Sequence, residues 1–236
     1  MVQLRVHKDL ESLLLKGLSS SERERVLAMA EARPVPANKT VVQQEGPANQ
    51  IFMLTRGQAR YFFVTEEGRK ILLFSLIPGD VFGGAAILTE PSRYLLGTET
   101  VKESQVLIWK RSDMTALTAR YPKLMQNMLL IAYDYLGWYL AAHVGLTCHS
   151  AAQRFATVLV TLAHTVGEKG AKGMEIEAKN EDLANAAGIT PFTASRLLSG
   201  WRRSGLILKR RGRVVILSPE QLLSRNAVSQ EEIHGR

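Results

Sequence analysis

The sequence predicts an α+β chain: an N-terminal antiparallel β-roll, a long helix, and a C-terminal winged helix-turn-helix. Three observations carry this. Short apolar runs broken by Gly and Pro fill residues 34–110, an unbroken helical pattern fills 122–146, and residues 180–204 (NEDLANAAGITPFTASRLLSGWRRS) have the spacing of two short helices joined by a tight turn. The domain boundaries expected are 1–120 for the N-terminal helices and β-roll, 121–149 for the long helix, and 150–236 for the last domain.

The first 33 residues read as short helices. Ser19 and Glu22 form an S-x-x-E capping box ahead of 23–33, where Val26, Leu27 and Ala30 supply an apolar stripe. The β pattern follows as TVVQQ, QIFMLTRG, ARYFFVTEEG, KILLFSLIPGD and ETVKESQVLIWK. Tyr61 and Phe63 alternating with Phe62 and Val64 suit half-buried antiparallel strands. Gly57, Gly68 and Gly79 recur at eleven-residue intervals, where hairpin turns need positive φ. Within DVFGGAAIL, Gly83 and Gly84 read as a strand end turning into a short helix. Such a turn can cradle an anion with its N–H groups, although tight packing explains two glycines as well.

Across 122–146, apolar residues fall at Leu124, Met128, Ile131, Tyr135, Trp138 and Ala142 in steps of four and three. That is the heptad spacing of a helix-pairing seam, so this stripe is expected at a homodimer interface. A buried helix within the chain's own core is the alternative. Leu129, Leu130, Leu136 and Leu140 add apolar surface on other sides, and a helix apolar all round must be covered all round. Asp134 and His143 within this stretch argue against a membrane span. A second helix, 151–166, follows a kink near 147–150, and GEKGAKG (167–173) reads as a flexible surface turn.

In the last domain, Asn180 or its neighbour caps a first helix carrying Leu183, Ala184 and Ala187, and Gly188 ends it. Thr190 caps a second helix with Pro191 at its first position, where a missing N–H costs nothing. Small residues, Ala184 and Ala194, stand where two helices cross closely. The second helix of such a motif enters the DNA major groove. Runs 206–209 and 213–217 flank Arg210, Arg211 and Gly212 as a hairpin wing, and a polar tail follows from Arg225.

Charge agrees. The chain of 236 residues has net charge +8 and 46% hydrophobic residues, enough for a real core. Between Leu183 and Pro219 there is no acidic residue, while Arg196, Arg202, Arg203, Lys209, Arg210, Arg211 and Arg213 are all basic. A window so one-sided suits a polyanion. Thr190, Pro191, Phe192, Thr193, Ser195, Arg196, Arg202, Lys209, Arg210, Arg211 and Arg213 are therefore the candidate DNA contacts, those on the wing reaching only backbone.

Cys148 is the single cysteine, so no intramolecular disulfide, four-cysteine cluster or Cys-rich zinc site can form within one chain. The start, MVQLRVHKDLES, lacks a signal peptide's apolar run, and a cytoplasmic location is expected. No nucleophile–base set, P-loop or metal-ligand spacing points to an enzyme.

A Gly-punctuated β-roll, a long helix and a winged helix-turn-helix, in that order, resemble the CRP/FNR family of bacterial transcription regulators. NQIFMLTRGQARYFF, PGDVFGGAAIL, the 122–149 helix and EDLANAAGITPFTASRLLSGWRRSGLI carry the likeness, which covers essentially the whole chain. It implies a cyclic-nucleotide-binding-domain-like sensor, a homodimer on palindromic double-stranded promoter DNA, and contact with RNA polymerase.

The departures from the family are informative. Nucleotide-binding members hold ribose with a Glu where this chain has Gly84, and the cyclic phosphate with an Arg-Ser or Arg-Thr pair where it has Tyr94-Leu95, with Arg93 one position off. Their dimer-helix Thr-Ser pair matches Tyr139-Leu140. Gly83, Gly84, Arg93, Tyr94 and Tyr139 are thus the candidate effector pocket, and cyclic AMP is not expected to bind it. The alternative is a ligand-responsive regulator taking a cyclic nucleotide, haem or another small effector; His7, His143, Cys148 and His149 are conceivable axial ligands for haem. The resemblance also implies that Arg196 reads a guanine. Phe192 stands where many members carry a Glu that accepts from cytosine N4.

Overall fold

The structure, a computed structural model, describes residues 12–88, 92–210 and 212–226. His7, Arg211 and most of the polar tail lie outside the described residues. Two compact units divide the chain, Met1–Tyr139 and Leu140–Arg236, and the division falls inside the long helix rather than at its ends.

In the first unit, helix α1 (Ser20–Ala28) begins with the expected capping box: the Ser19 hydroxyl accepts from the Glu22 N–H, and the Glu22 carboxylate accepts from the Ser19 N–H. The helix stops at Ala28, short of the expected Arg33. Pro34 cannot continue a helix and biases Arg33 to extended geometry, so Glu31–Val35 becomes strand β1 and pairs with the last strand of the roll.

Seven further strands follow: β2 (Thr40–Val42), β3 (Gln50–Arg56), β4 (Ala59–Val64), β5 (Lys70–Leu76), β6 (Val81–Phe82), β7 (Gly97–Thr100) and β8 (Ser104–Lys110). They form two antiparallel sheets, ordered β1-β8-β3-β6 and β2-β7-β4-β5. The run ETVKESQVLIWK is not one strand; it breaks at residues 101–103, leaving β7 and β8 in different sheets. Gly57, Gly68 and Gly79 all have positive φ, but only Gly68 turns a hairpin, between β4 and β5; Gly57 and Gly79 lie in connections that cross from one sheet to the other.

Both faces of the β1-β8-β3-β6 sheet are buried in the core, with Ile51, Met53, Leu54, Phe82 and Trp109 fully buried. The Trp109 indole N–H donates to the Val26 carbonyl at 2.8 Å, fastening α1 onto the roll. Helix α2 (Arg111–Arg120) closes the roll and leads into α3 (Pro122–Cys148).

α3 corrects the expected seam. Leu124 and Met128 are buried in the β-roll core, and Ile131 and Tyr135 pack against it. Tyr135 meets Tyr61 edge-on at 5.7 Å and donates to the Val81 carbonyl at 3.2 Å, while Trp138 lies 5.6 Å from both Phe74 and Tyr135. Burial pushes the Tyr61 and Tyr135 phenols well above the ordinary tyrosine range, and the Asp80 charge adds to both. The stripe Leu124, Met128, Ile131 and Tyr135 is therefore spent on the chain's own roll; Trp138 touches Phe74 and Tyr135 but stays 49% exposed, and Ala142 is exposed. On the opposite side, Leu129, Tyr133, Leu136 and Leu140 repeat the same steps of four and three, and Val144 extends them. These five are 51% to 71% exposed. A helix apolar on both sides offers two seams of one period, and the roll takes the first.

The second unit contains α4 (Ala151–Val166), β9 (Glu168–Gly170), β10 (Gly173–Glu177), α5 (Asn180–Ala186), α6 (Pro191–Arg203), β11 (Ile207–Arg210), β12 (Arg213–Ile216) and α7 (Pro219–Ser224). A capping box of Ser150 and Gln153 starts α4 after the expected break. GEKGAKG is not merely a turn: β9 pairs with β10, which pairs with β12, giving a sheet ordered β11-β12-β10-β9. Phe155, Leu159, Leu183, Leu198 and Ile207 form the core, with Phe155 stacked on Trp201 at 5.5 Å. No helix among the described residues is long and apolar enough to cross a membrane.

Candidate nucleic-acid interface

The interface is built on α5, the turn after it, and α6. Lys179, not Asn180, holds the N-cap position of α5, and its side chain makes no cap bond. Asn180 serves elsewhere: its amide N–H₂ donates to the Pro191 carbonyl at 3.1 Å and to the Ser195 hydroxyl at 2.9 Å, tying the start of α5 to the start of α6. Gly188 takes φ +62° in the turn, a left-handed backbone that favours glycine; the nearest atom to a Cβ there would be the movable tip of the Leu146 side chain, so the backbone rather than space sets the preference. Ala184 and Ala194 are fully buried, as close helix crossing demands. Arg154 braces the same corner from α4, donating to the carbonyls of Ala187, Gly188 and His149. Neither the Asn180 nor the Arg154 role is legible in the sequence, because all their partners except His149 lie 11 to 34 residues away along the chain.

Thr190 caps α6 as predicted, its hydroxyl accepting from the Thr193 N–H at 3.1 Å, with Pro191 in the first turn. Thr190 and Thr193 are thereby engaged with one another. Ala194, Leu198 and Trp201 face the core. The opposite stripe, Phe192, Arg196, Ser199 and Arg203, faces outward, with Ser195 and Arg202 at its margins. Ser199 and Arg203 are absent from the candidate contacts read in the sequence, although the step of three or four from Arg196 is there to find them.

The basic side chains fall into two groups. Arg196, Arg202, Arg203, Lys209 and Arg210 are exposed and make no ion pair among the described residues. Arg213 differs. Its guanidinium donates to Glu175 at 3.0 Å and lies 3.8 Å from Glu177, both on β10. The hydrogen bond to Glu175 raises its pKa further. The acid-free window in the sequence conceals this, since Glu175 lies 38 residues before Arg213 and outside that window. Arg211 lies outside the described residues.

The candidate effector residues are largely committed to structure. A Cβ on Gly83, whose φ is +79°, would stand 2.9 Å from the Gln50 carbonyl and from the Phe52 ring, so packing accounts for this glycine. Gly84 opens a short 3-10 turn ending at Ile87. The Tyr94 hydroxyl donates to the Gln50 carbonyl at 2.8 Å and accepts from the Gln50 N–H at 3.0 Å, within the core. Arg93 donates to the Glu45 carbonyl at 2.6 Å. Tyr139, His143 and Cys148 are exposed on α3, and His149 is exposed just past its end. Among the described residues no cluster of three His, Cys, Asp or Glu side chains can hold a metal ion.

A helix-turn-helix with a basic outer face and a β-hairpin wing, joined by a long helix to an antiparallel β-roll, defines a DNA-binding regulator with a sensor-type domain. Two family descriptions match accordingly: a cyclic nucleotide-binding domain over residues 32–121 and a Crp-like helix-turn-helix domain over 153–225. The chain belongs to the CRP/FNR family of transcription regulators. It is 26% identical over 222 residues to the Cyclic AMP receptor protein of Thermus thermophilus, covering 94% of this chain and 96% of that one. It is 23% identical over 192 residues to Electron transport regulator A of Shewanella oneidensis, covering 80% and 76%. The fold is that of the c-di-GMP-responsive regulator CLP of Xanthomonas campestris, with TM-score 0.76 and 17% identity over 85% of this chain and all of that one. FixK2 of Bradyrhizobium japonicum gives a TM-score of 0.72 at 20% identity, covering 85% and 98%.

Proposed function

We propose that this regulator acts as a homodimer on palindromic promoter DNA. Arg196 reads a base edge, and Arg202, Lys209, Arg210 and Arg211 hold phosphates. The observation that carries the dimer is the exposed stripe Leu129, Tyr133, Leu136, Leu140 and Val144 on α3. A run of large apolar side chains on one helix face is costly to leave in water, and its spacing fits an identical helix laid against it. A two-fold dimer then presents two α6 helices to half-sites about one helical turn apart. This is work for the cytoplasm, in contact with RNA polymerase, and not for an enzyme.

The sensor domain does not take cyclic AMP in this reading. Tyr94 occupies the position of the phosphate-binding arginine and is bonded to Gln50, Arg93 is turned to Glu45, and Gly84 offers no carboxylate for ribose. A phosphate left without a charge partner in a half-buried site is expensive. A second reading, a nucleotide-responsive sensor, is favoured by the names of the Thermus and Xanthomonas relatives. Calorimetry separates the two: no heat of binding is expected with cyclic AMP. A dissociation constant near or below about 10 μM, roughly −7 kcal/mol, would establish the second reading. For the dimer, light scattering of wild type and Leu136→Asp should give two chains and one; an unchanged dimer in the variant would reject the stripe.

A further inference from the structure

We infer that Phe192 is a specificity residue that reads the 5-methyl group of a pyrimidine, a thymine in ordinary DNA, beside the guanine read by Arg196. The inference rests on the proposed docking of α6 in the major groove. Phe192 is 78% exposed, the most open large apolar side chain among the described residues. It is not surplus core: Ala194, Leu198 and Trp201 already fill the inner face of α6. It stands second in the helix, one turn before Arg196 and on the same outward stripe, so it must meet whatever Arg196 meets. The Thr190 cap and the Asn180 bonds to Pro191 and Ser195 fix the backbone on either side of it. Its ring is therefore presented from a rigid turn.

The chemistry of the groove narrows the partner. A phenyl ring neither donates nor accepts, and placed on the edge of guanine, adenine or cytosine it would strip water from polar groups and return nothing. The one apolar group in the major groove is the C5 methyl of thymine. Residues four apart on a helix are separated by about 6 Å along its axis, and base pairs rise by about 3.4 Å. The methyl thus belongs one or two base pairs from the guanine of Arg196. Cytosine methylated at C5 carries the same group at the same place, so the same ring should favour 5-methylcytosine over cytosine there.

The test begins with selection of a site from a random duplex pool by the full-length protein. Each thymine in the selected half-site is then replaced by deoxyuridine, which removes the methyl and nothing else. One position per half-site, one or two base pairs from the guanine whose replacement costs most, should bind wild type about three- to tenfold more weakly as deoxyuridine. Phe192→Ala should bind the thymine and deoxyuridine sites equally; Phe192→Leu should keep part of the difference. At that position wild type should prefer 5-methylcytosine to cytosine. If no deoxyuridine replacement weakens wild type, or if Phe192→Ala retains the penalty, Phe192 does not read a methyl group. A selection that returns no preferred sequence instead overturns the proposed DNA reading itself, and the Phe192 assignment with it.

Discussion

Removing the guanidinium of Arg196 should damage sequence discrimination, whereas removing that of Arg210 should damage affinity for any duplex. The structure permits a magnitude for each. Arg196 is exposed on α6 and makes no ion pair among the described residues, so Arg196→Ala breaks nothing in the free protein. Its whole cost is the base recognition it removes, roughly 1–3 kcal/mol per half-site. A dimer loses two such interactions, roughly 2–6 kcal/mol if the half-sites are additive, or about 30-fold to 10⁴-fold on the palindrome. Binding to scrambled duplex should barely change. Arg210 sits at the end of β11 and, in the proposed docking, meets only the phosphate backbone. Arg210→Ala should weaken cognate and scrambled DNA alike and lower the slope of log affinity against log salt by about 0.9 for each phosphate no longer neutralised. Fluorescence anisotropy of both variants on both duplexes across a salt series reads all four quantities. Equal weakening by Arg196→Ala on cognate and scrambled DNA would make Arg196 a phosphate clamp and refute its assignment as the base reader.

Other substitutions probe the frame around the interface. Trp138→Asp should lower the unfolding midpoint of the β-roll in urea, because Trp138 packs on Phe74 and Tyr135, while Leu136→Asp should leave that midpoint nearly intact. Equal midpoints would show that the ring contacts of Trp138 do not stabilise the roll. Asn180→Ala removes two hydrogen bonds between α5 and α6 and should destabilise the C-terminal unit by about 1–3 kcal/mol; circular dichroism melts check it, and an unchanged melt would show that these bonds do not hold α6. Glu99 titrates below the ordinary glutamate range: burial alone would raise its pKa, but the hydrogen bonds from Lys70 and Arg60 outweigh it. A carboxylate depressed in the folded state stabilises above its unfolded pKa and loses that contribution as pH falls. Wild type should therefore lose stability below pH 4.5 more steeply than Glu99→Gln, as measured by denaturant midpoints from pH 7 to pH 3; parallel profiles would refute the ion-pair account.

The parts of this fold that were legible in the sequence are those set by local rules. Thr190, Pro191 and Gly188 mark the helix-turn-helix because a cap, a first-turn proline and a left-handed glycine each act within a few residues. Ser19 and Glu22 mark α1 in the same way. What needed tertiary information was misplaced. The two apolar stripes of α3 share one period, and only the sheet packed against Leu124 and Met128 decides which is internal. GEKGAKG carries no strand signature of its own and becomes β9 only because β10 is there to pair with it. The basic window around the wing makes Arg213 a candidate DNA contact, since nothing local announces its ion pair with Glu175. In the candidate sensor pocket, the sequence identified the altered positions, but the hydrogen bonds of Tyr94 to Gln50 are formed across the roll.

The central claim, a dimer that reads a palindrome through α6, is tested most directly by sequencing the duplexes that full-length protein retains from a random pool, with the mass of the complex measured on the recovered site. The expected site is an inverted repeat whose half-site centres lie about 10–10.5 base pairs apart, bound by two chains per duplex. A pool with no enriched sequence, or a site occupied by one chain, would contradict it.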